Sequence, residues 1–86
     1  MTVHTHRIFD KKYLKLQVKI RDRFRERRDL FLEAPFHPLL DNHALHGKWQ
    51  GYRSINITDD FRAVFKQENE TITFVDIDTH HNLYGT

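Results

Sequence analysis

The stretch from Tyr52 to Asp78, YRSINITDDFRAVFKQENETITFVDID, decides the fold because three strand-like runs follow one another in it. The first two runs, YRSINIT and DFRAVFKQ, alternate apolar and polar residues with the period of two that is typical of half-buried strands. The third run, TITFVDID, has apolar residues on both parities, which favours a central strand covered on both faces. The short polar turns between the runs predict an antiparallel meander.

The residues before this meander predict one strand and a helical region. The run TVHTHRIF predicts a first strand over residues 2–8, and Asp10 is a suitable helix N-cap. Residues 11–34 contain no glycine or proline and many helix-forming residues, until Pro35. One helix of this length would be about 36 Å long, which exceeds so small a domain. We therefore expect two helices with a break near residues 17–19, one long helix being the alternative.

Together these elements predict an α+β fold, with a single domain over residues 1–86 and the helices on one face of the sheet. The chain has no cysteine, which excludes disulfides and thiolate zinc sites. No apolar run approaches the ~20 residues that cross a bilayer, and the N-terminus lacks the apolar stretch of a secretory signal. We expect a soluble cytoplasmic protein without membrane contact.

Basic residues are concentrated in the N-terminal part of the chain. Residues 1–35 contain ten lysines and arginines against five acidic residues, whereas residues 36–86 contain four against seven. A basic region on a small domain is typical of proteins that bind a polyanion, and a solvated helix face is the alternative.

The polar residues of the meander are predicted to share the sheet face that the helices leave uncovered. If Phe61, Ala63 and Phe65 pack beneath the helices, Arg62 points to the opposite face. Ser54, Asn56 and Asp60 are expected on that face too, and His80 follows the last strand at its rim. An arginine near carboxylates and imidazoles suits a phosphate group, and an exposed Asp60–Arg62 ion pair is the alternative.

The histidines do not form a recognisable metal motif. No pair has the H-E-x-x-H spacing, and His43 and His46 lie in a predicted loop, so no metal site is expected. His80 and His81 would point to opposite sides of an extended chain. We therefore expect His80 in the polar site and His81 on the surface.

The segments NHALHGKWQGYRSINITDDFRAVF and FVDIDTHHNLYG resemble the RelE/ParE superfamily of bacterial type II toxins, and most closely its YafQ-like mRNA endonucleases. The matching positions are His43, Leu45, Gly47, Gly51, Arg53, Asp60, Thr79, His80, Leu83 and Tyr84. The resemblance covers essentially the whole chain. It implies a RelE-like fold, in which an N-terminal strand and two helices pack on one face of a twisted, mainly antiparallel four-stranded sheet.

The resemblance also implies a function, namely the toxin of a type II toxin–antitoxin system that cuts mRNA on the ribosome. The implied chemistry is attack of the ribose 2′-hydroxyl on the adjacent phosphate without a metal or cofactor. The implied partners are a small antitoxin that folds on the toxin, the mRNA and the ribosomal RNA. Asn56 and Ser54 stand where YafQ has a histidine and an aspartate. They motivate the alternatives, a ParE-like gyrase poison or a catalytically degenerate RelE-fold binding protein.

Five catalytic residues follow from the resemblance. His43 and His80 are expected to transfer protons, Asp60 is a third polar group, and Arg62 is the cation that stabilises the transition state. Tyr84 is expected to stack on a base or to donate through its hydroxyl. The residues expected to contact RNA are Arg21, Arg25, Arg28, Lys48 and Arg53.

Overall fold

The computed structural model describes residues 1–85. The strands are β1 (Thr2–Thr5), β2 (His43–Ala44), β3 (Arg53–Asn56), β4 (Phe61–Glu68) and β5 (Thr71–Thr79). The helices are α1 (Arg7–Lys15), α2 (Val18–Glu33) and α3 (His80–Tyr84), and two short 3-10 turns span Pro38–Leu40 and Gly47–Trp49. The predicted meander and the two N-terminal helices are confirmed, with the helix break at residues 16 and 17.

The predicted boundary between the first strand and the first helix is wrong. β1 ends at Thr5, and α1 begins at Arg7 instead of after Asp10. The N-cap is His6, whose Nδ1 accepts a hydrogen bond from the amide of Ile8 at 3.1 Å. The amide of Asp10 already donates to the His6 carbonyl, so Asp10 lies within the first turn of the helix. A histidine can cap a helix when its ring nitrogen reaches these amides, but propensity favours aspartate.

The sheet has five strands in the order β1-β5-β4-β3-β2, not the four of the prediction. It is mixed, because β1 runs parallel to β5 while the other pairs are antiparallel. The additional strand, β2, is only two residues long, and His43 and Ala44 pair with Ser54 and Arg53. Two residues between a turn and a glycine-containing loop show no alternation, so the sequence pattern did not reveal this strand.

Helices α1 and α2 pack on one face of the sheet through a cluster of phenylalanines. The ring of Phe24 lies 5.1 Å from those of Phe9 and Phe74, and Phe31 lies 5.0 Å from Phe65. All five rings are buried, and Phe65 in β4 faces the helices as predicted. Truncating one such ring to alanine typically costs about 3–5 kcal/mol, so this cluster fixes the sheet against the helices.

A β-bulge explains the mixed apolar pattern of β5. Phe65 pairs with Phe74 but Val64 pairs with Asp76, so the register shifts across Val75. After this shift Ile77 faces the helices, as Phe74 does, although the two residues have opposite parity. The central position of β5, between β1 and β4, is confirmed.

The second face of the sheet is covered, as the pattern of β5 predicted but contrary to the open face predicted around Arg62. Val64 packs there in a small apolar cluster with Leu45 and Leu83, which come from the loop before β3 and from α3. Thr79 caps α3, because its hydroxyl accepts from the amide of Asn82 at 3.2 Å. His80 and His81 therefore lie in a helix, and the reasoning that treated them as part of an extended chain does not hold.

No helix within residues 1–85 is both long and apolar enough to cross a membrane.

Candidate functional site

Arg62 is the buried centre of the candidate site. Its side chain is 7% exposed on β4, where Nε donates to Ser54 Oγ at 2.9 Å. Nη2 donates to the carbonyl of Asp41 at 2.7 Å, and Nη1 lies 3.3 Å from the carboxylate of that residue. These contacts fix the plane of the guanidinium. The carboxylate beside Arg62 is thus Asp41, and the exposed Asp60–Arg62 pair considered from the sequence is not what holds it.

Ser54 joins Arg62 to Tyr84. The Ser54 hydroxyl oxygen, which is fully buried, also accepts a hydrogen bond from the Tyr84 hydroxyl at 3.0 Å. The two donors therefore share one acceptor, and a serine suits this position because its oxygen has two lone pairs. As a result the C-terminal helix that carries Tyr84 is tied directly to the guanidinium site.

His43 lies beside the guanidinium on β2. Its Nδ1 is 2.9 Å from the carbonyl oxygen of Asp41 and 3.3 Å from Nη2 of Arg62. A carbonyl oxygen can only accept, so in the shorter contact Nδ1 of His43 carries the proton and donates to Asp41. This tautomer leaves Nε2 of His43 with a free lone pair. The ring is about half exposed, so Nε2 is available to a substrate.

His80 and Tyr84 pair along one face of α3. They are four residues apart, the spacing that brings side chains together on a helix, and their rings meet edge to face at 4.6 Å. His80 is exposed and Tyr84 is partly buried. The pair therefore presents an exposed imidazole with an aromatic ring packed against it.

These elements surround an open depression of about 290 Å³. Its lining consists of His43, Ala44, Leu45, His46, His80 and Tyr84. The structure therefore brings His43, His80 and Tyr84, which the resemblance named, to one depression, and the buried Arg62 lies 3.3 Å from His43. His46 also lies here, and its spacing of three residues from His43 was the signal that could have identified it.

Asp41 is the site residue that the sequence did not reveal. It follows the turn Pro38–Leu40 and adopts a left-handed backbone with φ of 43°. Aspartate tolerates this conformation better than most residues do. The turn aims the Asp41 carbonyl at both Arg62 and His43, a backbone interaction that no side-chain motif encodes.

Asp60 contacts the site through its main chain. Its carbonyl accepts from the amide of His80 at 2.8 Å, and its own amide lies 3.3 Å from the hydroxyl of Thr58. The Asp60 side chain is exposed and does not line the depression. Asn56, the Cα partner of Arg62 in the neighbouring strand, lines a separate groove beside α2.

The five basic residues expected to contact RNA do not converge on the depression. Arg25 donates to the Tyr13 hydroxyl at 2.8 Å and pairs with Asp22, while Arg28 pairs with Asp29 at 3.1 Å. These two and Arg21 lie on the flank of α2 that faces α1 and β1. The other two residues lie outside α2: the amine of Lys48 lies 6.0 Å from the Trp49 ring, and Arg53 donates to Asn42 at 2.9 Å.

A charged cluster links α1 to the strand that leads into α3. Lys12 Nζ lies 2.8 Å from Asp76 and 3.1 Å from Asp78. Burial alone would lower the Lys12 pKa, but the hydrogen bonds to both carboxylates raise it above its ordinary value. Burial opposes ionisation of Asp78 too, yet hydrogen bonds from Asn82, the Thr79 amide and Lys12 hold its pKa below the usual range.

In residues 1–85 no three His, Cys, Asp or Glu side chains form a group that could hold a metal ion.

Several toxins of known structure have the same fold. YafQ from E. coli superposes with a TM-score of 0.78 at 22% identity over 96% of this chain and 97% of that chain. A YoeB/ParE toxin from Agrobacterium tumefaciens gives 0.76 at 18% identity over 93% and 99%. The E. coli DinJ–YafQ toxin–antitoxin complex contains a chain that gives 0.76 at 23% identity over 96% of each. These identities establish the shared fold alone.

The sequence itself establishes the family. No curated protein gives a significant match to the chain. However, the sequence profile described as the bacterial toxin of the type II toxin–antitoxin system, YafQ, matches residues 1–85. The chain therefore belongs to the YafQ family of type II toxins.

Proposed function

We propose that this toxin is an endoribonuclease that cuts mRNA on the ribosome in the cytoplasm. The observation that carries the proposal is the buried guanidinium of Arg62, which Asp41 and Ser54 hold 3.3 Å from His43, in the wall of the depression that His80 and Tyr84 also line. A fixed cation next to two groups that can exchange protons is what cleavage of a phosphodiester requires. Membership of the YafQ family supports the same activity.

In the proposed reaction the ribose 2′-hydroxyl attacks the adjacent phosphorus while the bond to the 5′-oxygen of the next nucleotide breaks. His43 Nε2 takes the proton of the 2′-hydroxyl, since Nδ1 donates to the Asp41 carbonyl. His80, on the opposite rim, gives a proton to the departing 5′-oxygen. The products are a 2′,3′-cyclic phosphate and a 5′-hydroxyl, and no metal takes part in either step.

Arg62 stabilises the charge that develops on the phosphorane. Its Nη1 contacts the carboxylate of Asp41, whose side chain is 70% exposed. A substrate phosphate can displace so exposed a carboxylate, because surface ion pairs contribute little. The Asp41 carbonyl and Ser54 keep the guanidinium in place during this exchange.

Tyr84 is proposed to stack on a base of the mRNA. Its hydroxyl already donates to Ser54, so the ring face is the part that is available to the substrate. Asp60 has a supporting role through its contact with the His80 amide, in addition to the polar role that the resemblance gives it. Asn56 cannot transfer a proton at neutral pH, so in this proposal the proton-transfer pair consists of His43 and His80.

The proposed partners are a cognate antitoxin, the mRNA and ribosomal RNA. An antitoxin partner is supported by the DinJ–YafQ complexes of the related E. coli toxin. Arg21, Arg25 and Arg28 are proposed to contact ribosomal RNA from the flank of α2 that faces α1 and β1, with Lys48 and Arg53 contacting RNA elsewhere.

The proposal is tested by incubating the purified protein with translating ribosomes and mapping the mRNA ends. Parent protein should produce new 5′-hydroxyl ends and 2′,3′-cyclic phosphates. The variants His80→Ala and His43→Ala should lose most of this activity, since each proton-transfer group typically contributes about 10²- to 10⁴-fold. Arg62→Ala should lose most of it too, because the developing negative charge loses its fixed cation. The control is His4→Ala, an exposed histidine on β1. Intact mRNA together with inhibited gyrase supercoiling would instead establish the ParE-like alternative.

A further inference from the structure

A second, more basic groove lies between α2 and the turn that joins β3 to β4. Its volume is about 200 Å³. Its lining residues are Lys19, Arg23, Arg27, Asn56, Thr58 and Asp59. It shares no lining residue with the histidine depression, and its three basic residues are not among those that the sequence pattern assigned to RNA. The groove is hereafter called the α2 groove.

The basic residues of the α2 groove form one stripe of the helix. Successive members are four residues apart, so each is rotated by only about 40° from the last. Arg21, Arg25 and Arg28 project from the other flank, towards α1 and β1, because the buried phenylalanines of α2 separate the two flanks. The sequence pattern therefore selected one of two arginine stripes, and the α2 groove contains the other.

Arg27 is the least satisfied cation of this stripe. It is half-buried, and within residues 1–85 its Nη1 atom is inaccessible to solvent and makes no hydrogen bond. An unpaired buried donor is unfavourable, so Arg27 gains a hydrogen bond if its side chain turns this nitrogen towards an acceptor in the groove. Lys19 and Arg23 are exposed, and the contact of Arg23 with Glu26 is a surface ion pair that a ligand can replace.

The opposite wall of the α2 groove offers neutral donors. Thr58 Oγ1 accepts from the amides of Asp60 and Phe61, so its own proton is available to a ligand. Asn56 offers an amide that donates and accepts. The carboxylate of Asp59 is the only acidic group in the lining, and the three cations outweigh it. This combination suits an anion with several oxygens, such as a phosphate.

The α2 groove adjoins the histidine depression. Asn56 is the Cα partner of Arg62 in the β3–β4 ladder, and Asp60, next to Asp59, accepts from the His80 amide. Asn56 is two residues beyond Ser54 on the same strand, which is about 7 Å. β2 pairs only with Arg53 and Ser54, so within residues 1–85 no strand covers the edge of β3 that leads into the groove.

We propose that the α2 groove binds phosphodiester groups of the single-stranded RNA whose next phosphate enters the histidine depression. This inference rests on the proposed ribonuclease function and adds the path of the strand beside the cleaved bond. Arginine forks recognise phosphate oxygens in pairs, and such contacts hold the backbone without reading the bases. Lys19, Arg23 and Arg27 would therefore set the register of the strand.

The experiment measures the binding of a short, fluorescein-labelled single-stranded RNA with 2′-O-methyl riboses, which cannot be cleaved by 2′-hydroxyl attack. Fluorescence anisotropy is recorded at several salt concentrations for the parent chain and for the triple variant Lys19→Gln, Arg23→Gln, Arg27→Gln. The matched control is Arg7→Gln, Lys11→Gln, Lys15→Gln, three exposed residues of α1 with the same spacing and the same change in charge.

If the three cations contact phosphates, the groove variant loses about 2 units from the slope of log Kd against log salt. Its Kd at 0.1 M salt rises at least about tenfold, whereas the control changes by no more than a few-fold. Equal effects of the two triple variants overturn the proposal, because they indicate only the net charge. Binding of a polyglutamate peptide is measured in the same way. If the groove variant loses more affinity for this peptide than for the RNA, the proposal is overturned, because the groove then suits an acidic protein segment.

A gain-of-binding variant keeps the proposal testable if the triple variant fails to fold. Asp59→Asn removes the one carboxylate of the lining and should tighten RNA binding, and unchanged or weaker binding contradicts the proposal. Cleavage on ribosomes, measured with the same proteins, separates the two inferences. If the groove variant binds RNA as tightly as the parent does, the groove proposal fails and the nuclease proposal stands. If the parent binds RNA through the groove but does not cut mRNA, only the nuclease proposal fails.

Discussion

Arg62 and Tyr84 donate hydrogen bonds to the same atom, the hydroxyl oxygen of Ser54, at 2.9 and 3.0 Å. Arg62 lies in the centre of the sheet and Tyr84 lies in the C-terminal helix, so this buried oxygen couples the cation of the site to the helix that carries His80. The position of the proposed proton donor therefore depends on a serine that performs no chemistry itself.

The first prediction concerns this coupling. Ser54→Ala should lower the free energy of unfolding by about 1–3 kcal/mol, because two donors lose a buried acceptor. Tyr84→Phe removes one donor and leaves the bond between Arg62 and Ser54 intact, so it should cost only about 0.5–1.5 kcal/mol. Urea denaturation of both variants provides the measurement. Equal losses for the two variants would show that Ser54 does not anchor Arg62.

The second prediction concerns Asp41, which contacts Arg62 through both its carbonyl and its carboxylate. Asp41→Asn keeps the backbone interaction and a residue that tolerates the left-handed conformation, but it removes the charge that competes with phosphate. Stability should change by less than about 1 kcal/mol, since the carboxylate is exposed.

RNA affinity of Asp41→Asn should rise, as measured with the non-cleavable RNA described above. The control is Glu68→Gln, an exposed acidic residue paired with Lys66 on β4. A similar gain in both variants would attribute the effect to net charge alone and would contradict displacement of Asp41 by phosphate.

The sequence predicted the elements whose signal is local or repeated. The alternation in β4 correctly predicted which of its residues face the helices, and Arg62 lies on the other face, where it donates to Ser54. Resemblance supplied His43, His80 and Tyr84, which the structure brings to one depression. Residues that act through tertiary contacts of the backbone, above all Asp41, have no such signal.

Two errors of the sequence prediction had one physical origin, namely that very short segments show no periodic pattern. The face that contains Arg62 was expected to be open, but the apolar residues Leu45 and Leu83 cover it. Leu45 comes from a loop and Leu83 from a helix of five residues, and neither segment is long enough to show a period. β2 was missed for the same reason.

The third prediction concerns pH. The Asp78 carboxyl has a lowered pKa, so it stabilises the fold above its ordinary value of 3.8 and this contribution is lost as the pH falls through the lower folded-state value. The Lys12 ammonium has a raised pKa, so its contribution is complete below 10.5 and is lost as the pH rises through the higher folded-state value.

Urea denaturation at a series of pH values should therefore show two separable effects. Asp78→Asn should flatten the acidic limb of the stability profile, and Lys12→Met should flatten the alkaline limb and part of the acidic one. The control is Lys11→Met, an exposed neighbour on α1. Profiles of the Asp78 and Lys12 variants that run parallel to the parent would show that the cluster does not link α1 to β5.

The last prediction concerns Trp49, the single tryptophan of the chain. Its indole donates to the carbonyl of Leu83 at 3.1 Å, and it packs on the small apolar cluster beneath α3. Trp49→Phe retains an aromatic ring but loses the hydrogen bond, so it should cost about 0.5–1.5 kcal/mol plus the smaller ring contact. Because α3 carries His80 and Tyr84, its looser attachment should reduce kcat more than RNA affinity.

Two measurements distinguish a loosened helix from general destabilisation. Hydrogen exchange of the amides in α3 should accelerate in Trp49→Phe while the amides of β4 and β5 remain protected, because local opening needs less free energy than global unfolding. The control is Tyr52→Phe, which removes a hydroxyl from the ring that meets Trp49 edge to face at 5.5 Å. If exchange in α3 and β5 accelerates equally, Trp49 stabilises the whole fold, and the lower kcat reflects unfolded protein instead of a displaced His80.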